Sequence, residues 1–139
     1  MTKDVVVKVK GLQTAAGVND DMEIITRGTY YKKDENHYIF YNEVLETGNQ
    51  VVRNLIKIGA NQVEVSKKGG INAQMLFQTG KKNFSVYGTP YGTVEIGIAT
   101  DSIEISEEDD EIAVNLFYEL DMNSEHVSDS AVHMIISSL

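Results

Sequence analysis

Apolar and polar residues alternate along almost the whole chain, and Gly, Asn, Asp or Lys-rich turns cut the alternation about every 8 to 14 positions. Side chains on a strand point to opposite faces in turn, so this period of two commits the chain to β-structure. The segment from Thr93 to Ala99 shows the pattern best. Val94, Ile96 and Ile98 share one face, while Thr93, Glu95, Gly97 and Ala99 share the other. No stretch carries apolar residues at the i, i+3, i+4, i+7 spacing of a helix, and no internal repeat or linker divides the chain.

The alternation predicts strands over about residues 4–12, 22–31, 37–46, 51–58, 62–67, 72–78, 83–87, 93–99, 112–121 and 131–138. The first puts Val5, Val7 and Val9 opposite Lys8 and Lys10. Turns are expected at 19–21, 32–36, 46–50, 59–61, 68–70, 79–82 and 88–92, the last holding Pro90, the chain's only proline. A shorter alternation, Ile103 and Ile105 against Ser102, Glu104 and Ser106, precedes the acidic run 107–111. Phe117 is the apolar exception on the polar face of its strand. Loops this short favour antiparallel neighbours in sequence order. Eight to ten such strands leave two open edges unless the sheet closes, so the expected fold is all-β: one up-and-down antiparallel barrel. Strands two to four carry apolar residues on both faces, so either could point inward, and a one-residue error in register exchanges them.

The 139 residues suffice for one core, and a single domain over 1–139 is expected. Apolar residues make up 42%, as in a folded soluble protein. Without cysteine there is neither a disulfide, a thiolate nucleophile nor a sulfur-ligated metal. The start carries charge at Lys3, Asp4, Lys8 and Lys10, too early for a signal peptide, and no apolar run reaches membrane-spanning length. A cytoplasmic location is therefore expected, with no membrane partner. Net charge is −9, from 12 basic and 21 acidic residues, and that sign repels phosphate backbones. No nucleic-acid partner is expected. Lys67, Lys68, Lys81 and Lys82 read as solubilising turn lysines that protect sheet edges.

His37, His126 and His133 are the only nitrogen ligands available to a metal. His126 and His133 are seven positions apart, so on one regular strand they face opposite ways, and no metal or cofactor is expected. The acidic run 107–111 lacks the interleaved Asp/Asn/Gly spacing of a calcium loop and reads as a solvated hairpin. No Gly-x-Ser-x-Gly elbow surrounds any serine, and the glycine–lysine turns lack the spacing of a phosphate loop. Tyr30, Tyr31, Tyr38, Phe40 and Tyr41 gather aromatics in strands two and three, which suits either an ordinary β-core or the wall of a ligand pocket. Ile24 and Thr26 share the face of Tyr30 and mix size with polarity, as a cavity wall does.

Thr29-Tyr30-Tyr31, the run from Ala73 to Gly80, Thr89-Pro90-Tyr91-Gly92 and Ile98-Ala99-Thr100 follow one another in an order that resembles the YwiB-like group of small bacterial proteins, a domain of unknown function. The likeness extends through the acidic run 107–111 and Leu116-Phe117-Tyr118-Glu119-Leu120. It implies a calycin-like, lipocalin-related barrel and brings no activity. The chain has Lys68 where the family often places arginine, which removes any bidentate guanidinium there, and Tyr91 where the family tends to carry phenylalanine.

An eight- to ten-stranded barrel is just wide enough to be filled by side chains or to hold one small ligand. The first expectation is therefore a non-enzymatic barrel that binds a small, mainly apolar molecule inside. Its expected lining is Tyr30, Tyr38, Phe40, Met75, Phe77 and Phe84. The alternative is a protein-interaction or homo-oligomeric module with a packed interior. A hydrolase or isomerase using carboxylates or histidines is a third.

Overall fold

The computed structural model describes residues 1–11, 23–44 and 51–139. The turns expected at 19–21 and 46–50 lie outside the described residues. Ten strands account for most of the rest: β1 (Asp4–Lys10), β2 (Glu23–Lys33), β3 (Asn36–Val44), β4 (Val51–Ile58), β5 (Gln62–Lys68), β6 (Ala73–Gln78), β7 (Lys82–Thr89), β8 (Gly92–Glu107), β9 (Glu111–Met122) and β10 (Glu125–Ser138). Among the described residues there is no helix.

All ten belong to one antiparallel sheet in the order β6-β5-β4-β3-β2-β1-β10-β9-β8-β7. Each strand lies beside its sequence neighbour, and β1 joins β10 through Val5↔Ser138 to Lys10↔His133, so the meander curls into a nearly closed barrel. The gap falls between β6 and β7. Among the described residues one bridge spans it, where Asn72 and Gly88 exchange backbone hydrogen bonds of 2.9 and 2.7 Å. Elsewhere along the seam side chains stand in for the ladder: Asn83 Nδ2 donates to the Leu76 carbonyl at 3.2 Å, and Ser85 Oγ to that of Gln74 at 2.5 Å.

Turn chemistry sets the hairpins. Asp34 and Glu35 take φ of 52° and 68°, and Asn123 and Ser124 take 49° and 69°, the left-handed pair of a two-residue turn whose twist matches its strands. The turn expected over 32–36 is therefore tighter, with Lys32 and Lys33 paired to His37 and Asn36. Two bulges explain the other departures from strict alternation. In β8 the register against β9 shifts between Thr100 and Ser102, so Thr100 and then Ile103 and Ile105 oppose the inward Tyr118, Leu116 and Val114. The extra residue exchanges the faces and keeps β8 continuous for 16 residues instead of ending it near Ala99. A second shift, between His126 and Ser128, lets β10 start at Glu125 rather than near 131.

The inward faces make one core: Val5, Val7 and Val9; Ile39 and Tyr41; Ile56 and Ile58; Val63 and Val65; Met75 and Phe77; Ile96 and Ile98; the even positions of β9; and Val132, Met134 and Ile136. Phe77 meets Tyr118 edge-on with ring centroids 5.0 Å apart near the middle of this packing. Gly28 also faces inward. A Cβ there would stand 2.6 Å from the Phe40 carbonyl and 2.9 Å from Val7 Cγ2, so the β1–β2–β3 contact leaves no room for a side chain.

Candidate functional site

The six side chains expected to line one cavity diverge. Tyr30, Met75 and Phe77 point into the barrel and are buried. Tyr38, Phe40 and Phe84 point outward, Phe40 40% and Phe84 65% exposed. Register is the cause. His37, Ile39 and Tyr41 pair with Ile58, Ile56 and Asn54 on the buried face, which sends Tyr38 and Phe40 outside; on β7 Tyr87 is the buried member, which sends Phe84 outside. Outside, Tyr31 stacks on Tyr38 and Phe40 at 4.9 and 5.7 Å, and Lys57 Nζ lies 5.6 Å from the Tyr38 ring. Phe117, the expected exception, is likewise exposed.

Polar groups enter the barrel at its two ends. At one end His37, 6% exposed, bridges two neighbours. Its Nδ1 lies 2.6 Å from the Tyr30 hydroxyl, and its Nε2 lies 3.0 Å from Glu107 Oε1. An ionised carboxylate only accepts, so Nε2 carries the proton that faces Glu107, and Nδ1 pairs with the Tyr30 hydroxyl. Burial raises the Tyr30 phenol above its ordinary value, and the charge on Glu107 adds to the rise, so the hydroxyl keeps its proton. The result is a hydrogen-bonded chain from Tyr30 on β2 through His37 on β3 to Glu107 at the end of β8. It ties the distal half of β8 across the barrel mouth.

Beside this chain opens a cleft of about 490 Å³, lined by Glu35, His37, Ile58, Gly59, Ala60, Asn61, Ile103, Ile105 and Glu107. Its size falls in the range of small-ligand sites. The β8 bulge places Ile103 and Ile105 here. A smaller cavity of about 270 Å³ lies on the other side of Glu107, against Tyr30, Lys32 and the acidic turn. At the β6–β7 seam a third, of about 210 Å³, is lined by Glu64, Gln74, Leu76, Asn83, Phe84, Ser85 and Ile98.

At the opposite end Lys67 is 3% exposed, contrary to its reading as a solvated turn lysine. It shares the parity of Val63 and Val65 on β5 and therefore points inward. Its Nζ donates to Glu43 Oε1 and Asn54 Oδ1, each at 2.7 Å. The nearby Tyr41 hydroxyl is buried without a hydrogen-bond partner among the described residues, and burial, with the Glu43 charge, pushes its pKa far above the ordinary phenol value.

The remaining histidines stand apart. The bulge after His126 brings it to the outer side with His133, yet about seven residues, roughly 20 Å of strand, separate them. His126 lies 3.7 Å from Asp121 and 3.3 Å from Asp129, while His133 Nδ1 bonds Asn115 Oδ1. Among the described residues no three His, Asp or Glu side chains converge as metal ligands. Asp121 accepts from Lys82 Nζ, which holds its carboxyl below the usual range.

The pairing of His37 with Glu107 had no signal in sequence, since the two lie 70 positions apart and meet only because β8 crosses the mouth. Lys67 did have one: its place in the Val63, Val65 alternation.

Residues 7–134 match the family described as Domain of unknown function (DUF1934). The chain is 25% identical over 126 residues to the uncharacterized beta-barrel protein YwiB of Bacillus subtilis (strain 168), covering 91% of this chain and 84% of that one. Its fold is similar to the crystal structure of the ywiB protein from Bacillus subtilis, with a TM-score of 0.81 at 23% identity, over 99% of this chain and 92% of the other.

Proposed function

We propose, from the premise that the chain belongs to the DUF1934 family, a domain of unknown function, that it binds one small, mainly apolar molecule in the cleft at the His37 end of the barrel. The observation that carries this is the Tyr30–His37–Glu107 chain standing at the wall of a cleft of about 490 Å³ whose apolar surface comes chiefly from Ile103 and Ile105, with the buried Ile58 beneath. Apolar floors with a few fixed polar groups are the common make-up of ligand sites. The mouth supports the reading better than the interior does, because Met75 and Phe77 are closed in by packing against the rest of the core.

The test is a fluorescence titration with the neutral dye N-phenyl-1-naphthylamine. Saturable enhancement is expected, lost in Ile105→Trp, which fills the cleft from a partly exposed position, and kept in Met75→Leu, which alters the interior. Loss in Met75→Leu with retention in Ile105→Trp would move the ligand to the interior.

A second reading, a surface for protein contact, is supported by the stacked outer rings of Tyr31, Tyr38 and Phe40. Sedimentation velocity across a hundredfold range of concentration tests its homo-oligomeric form. A sedimentation coefficient independent of concentration counts against it.

A further inference from the structure

The cleft that holds the proposed ligand has a charge of one sign. Glu35 and Glu107 are among its nine lining residues, and no lysine or arginine is. Of the basic side chains around it, Lys57 lies over Tyr38 on the outer face, Lys32 lines the separate cavity beyond Glu107, and Lys81 lines a neighbouring cavity that shares Ala60 and Asn61. We infer that the ligand is an organic cation, an ammonium group carried on an apolar body, with the body against Ile58, Ile103 and Ile105 and the ammonium at Glu107. The inference rests on the binding reading above and names the class of ligand.

Glu107 is built for this. His37 is 6% exposed and donates a hydrogen bond from Nε2–H to Oε1, which fixes the carboxylate and leaves Oε2 as acceptor. The side chain is about half exposed, so a ligand ammonium can approach it without a fully desolvated charge having been stored beforehand. Apolar carboxylates and phosphates are disfavoured at the same wall by Glu35, Glu107 and the neighbouring Glu108 and Asp109. The overall charge of −9 draws cations toward the protein from a distance.

Isoleucine-methyl NMR of the full chain, titrated at pH 7.5 and constant ionic strength, separates the outcomes. The probes are hexylammonium, 1-hexanol and hexanoate, which share one apolar body and differ in charge. Shifts of the Ile58, Ile103 and Ile105 methyls are expected, with hexylammonium tightest and hexanoate weakest. Glu107→Gln should weaken hexylammonium about fivefold and leave 1-hexanol within twofold, the size of a half-exposed charge-assisted contact. Glu35→Gln gives the same test, with a smaller loss, from a turn residue outside the β8 tie. Equal or tighter binding of 1-hexanol or hexanoate would overturn the cation inference while the cleft reading stands. Absence of shifts at these methyls with every probe would overturn both.

Discussion

The two ends of β3 solve the same problem in opposite ways. His37 and Glu43 lie six residues apart, roughly 20 Å, and each brings polar groups into a largely apolar barrel. At the Glu43 end the charge is neutralised within the protein: Lys67 Nζ donates to both Glu43 Oε1 and Asn54 Oδ1, each at 2.7 Å. At the His37 end the chain runs outward to a half-exposed carboxylate beside a cleft. A polar group that is satisfied internally specifies the fold, whereas one that ends at solvent has capacity left for a partner. The Lys67 cluster is therefore expected to govern stability and the His37 chain to govern binding.

The largest expected effect separates these roles. Lys67→Met strands the buried Asn54 carbonyl and leaves the partly exposed Glu43 unpaired, and should lower the free energy of unfolding in urea by about 2 to 3 kcal/mol, at or just below the scale of removing one partner from a buried pair. Dye binding at the other end should persist below the unfolding transition. Equal loss of both would erase the distinction between the ends.

His37→Leu is next, at about 1 to 2 kcal/mol for the stranded Tyr30 hydroxyl. Its mark is local: amide hydrogen exchange should accelerate over residues 103–107, where the tie to β8 is lost, and stay unchanged in β4 and β5. Uniform acceleration would mean that the chain supports the whole barrel rather than the mouth.

An alkaline limb follows from Tyr41. Its pKa is raised on folding, so below the ordinary phenol value near 10 both states hold the proton and pH has no effect through this group. Above about 10 the unfolded state releases the proton first, and stability falls as pH rises toward the folded pKa. Tyr41→Phe should flatten the fall between pH 10 and 11.5 in urea midpoints. Tyr30 acts in the same direction with a smaller shift, so Tyr30→Phe should flatten it less. The reverse order would place the more tightly buried phenol at the His37 end.

The smallest effect is acidic and lies outside both ends. Asp121 has a lowered pKa, chiefly from the hydrogen bond of Lys82. Its contribution is present above the ordinary carboxylate value and is lost as pH falls through the folded pKa. The pair lies on the outer face and Lys82 is exposed, so Asp121→Asn should flatten the acid limb only slightly, and 0.5 M salt should do the same in the wild type.

Much of the barrel was legible because alternation is a local signal. The even face of β9 and the valines of β1 were readable from period two alone, and Lys67 was readable by the same rule once its lysine identity was set aside. Tyr38 and Phe40 were misplaced because β3 is apolar on both faces, and only its pairing with β4 decides which is inside. The alternation does change phase between Ile98 and Ile103, but only the pairing with β9 shows that one strand runs through the change by a bulge at Asp101, which turns Ile103 and Ile105 into the floor of the cleft. Glu107 was hidden among five adjacent acidic residues that are alike in sequence and differ only in what the fold brings near them.

The most direct measurement is methyl NMR of isoleucine and valine side chains in the protein saturated with N-phenyl-1-naphthylamine. The expected result is shifts at Ile58, Ile103 and Ile105, with Val52 and Val65 around the Lys67 cluster unmoved. Shifts centred on Val52 and Val65, or none at the three isoleucines, would contradict the assignment of binding to the His37 end.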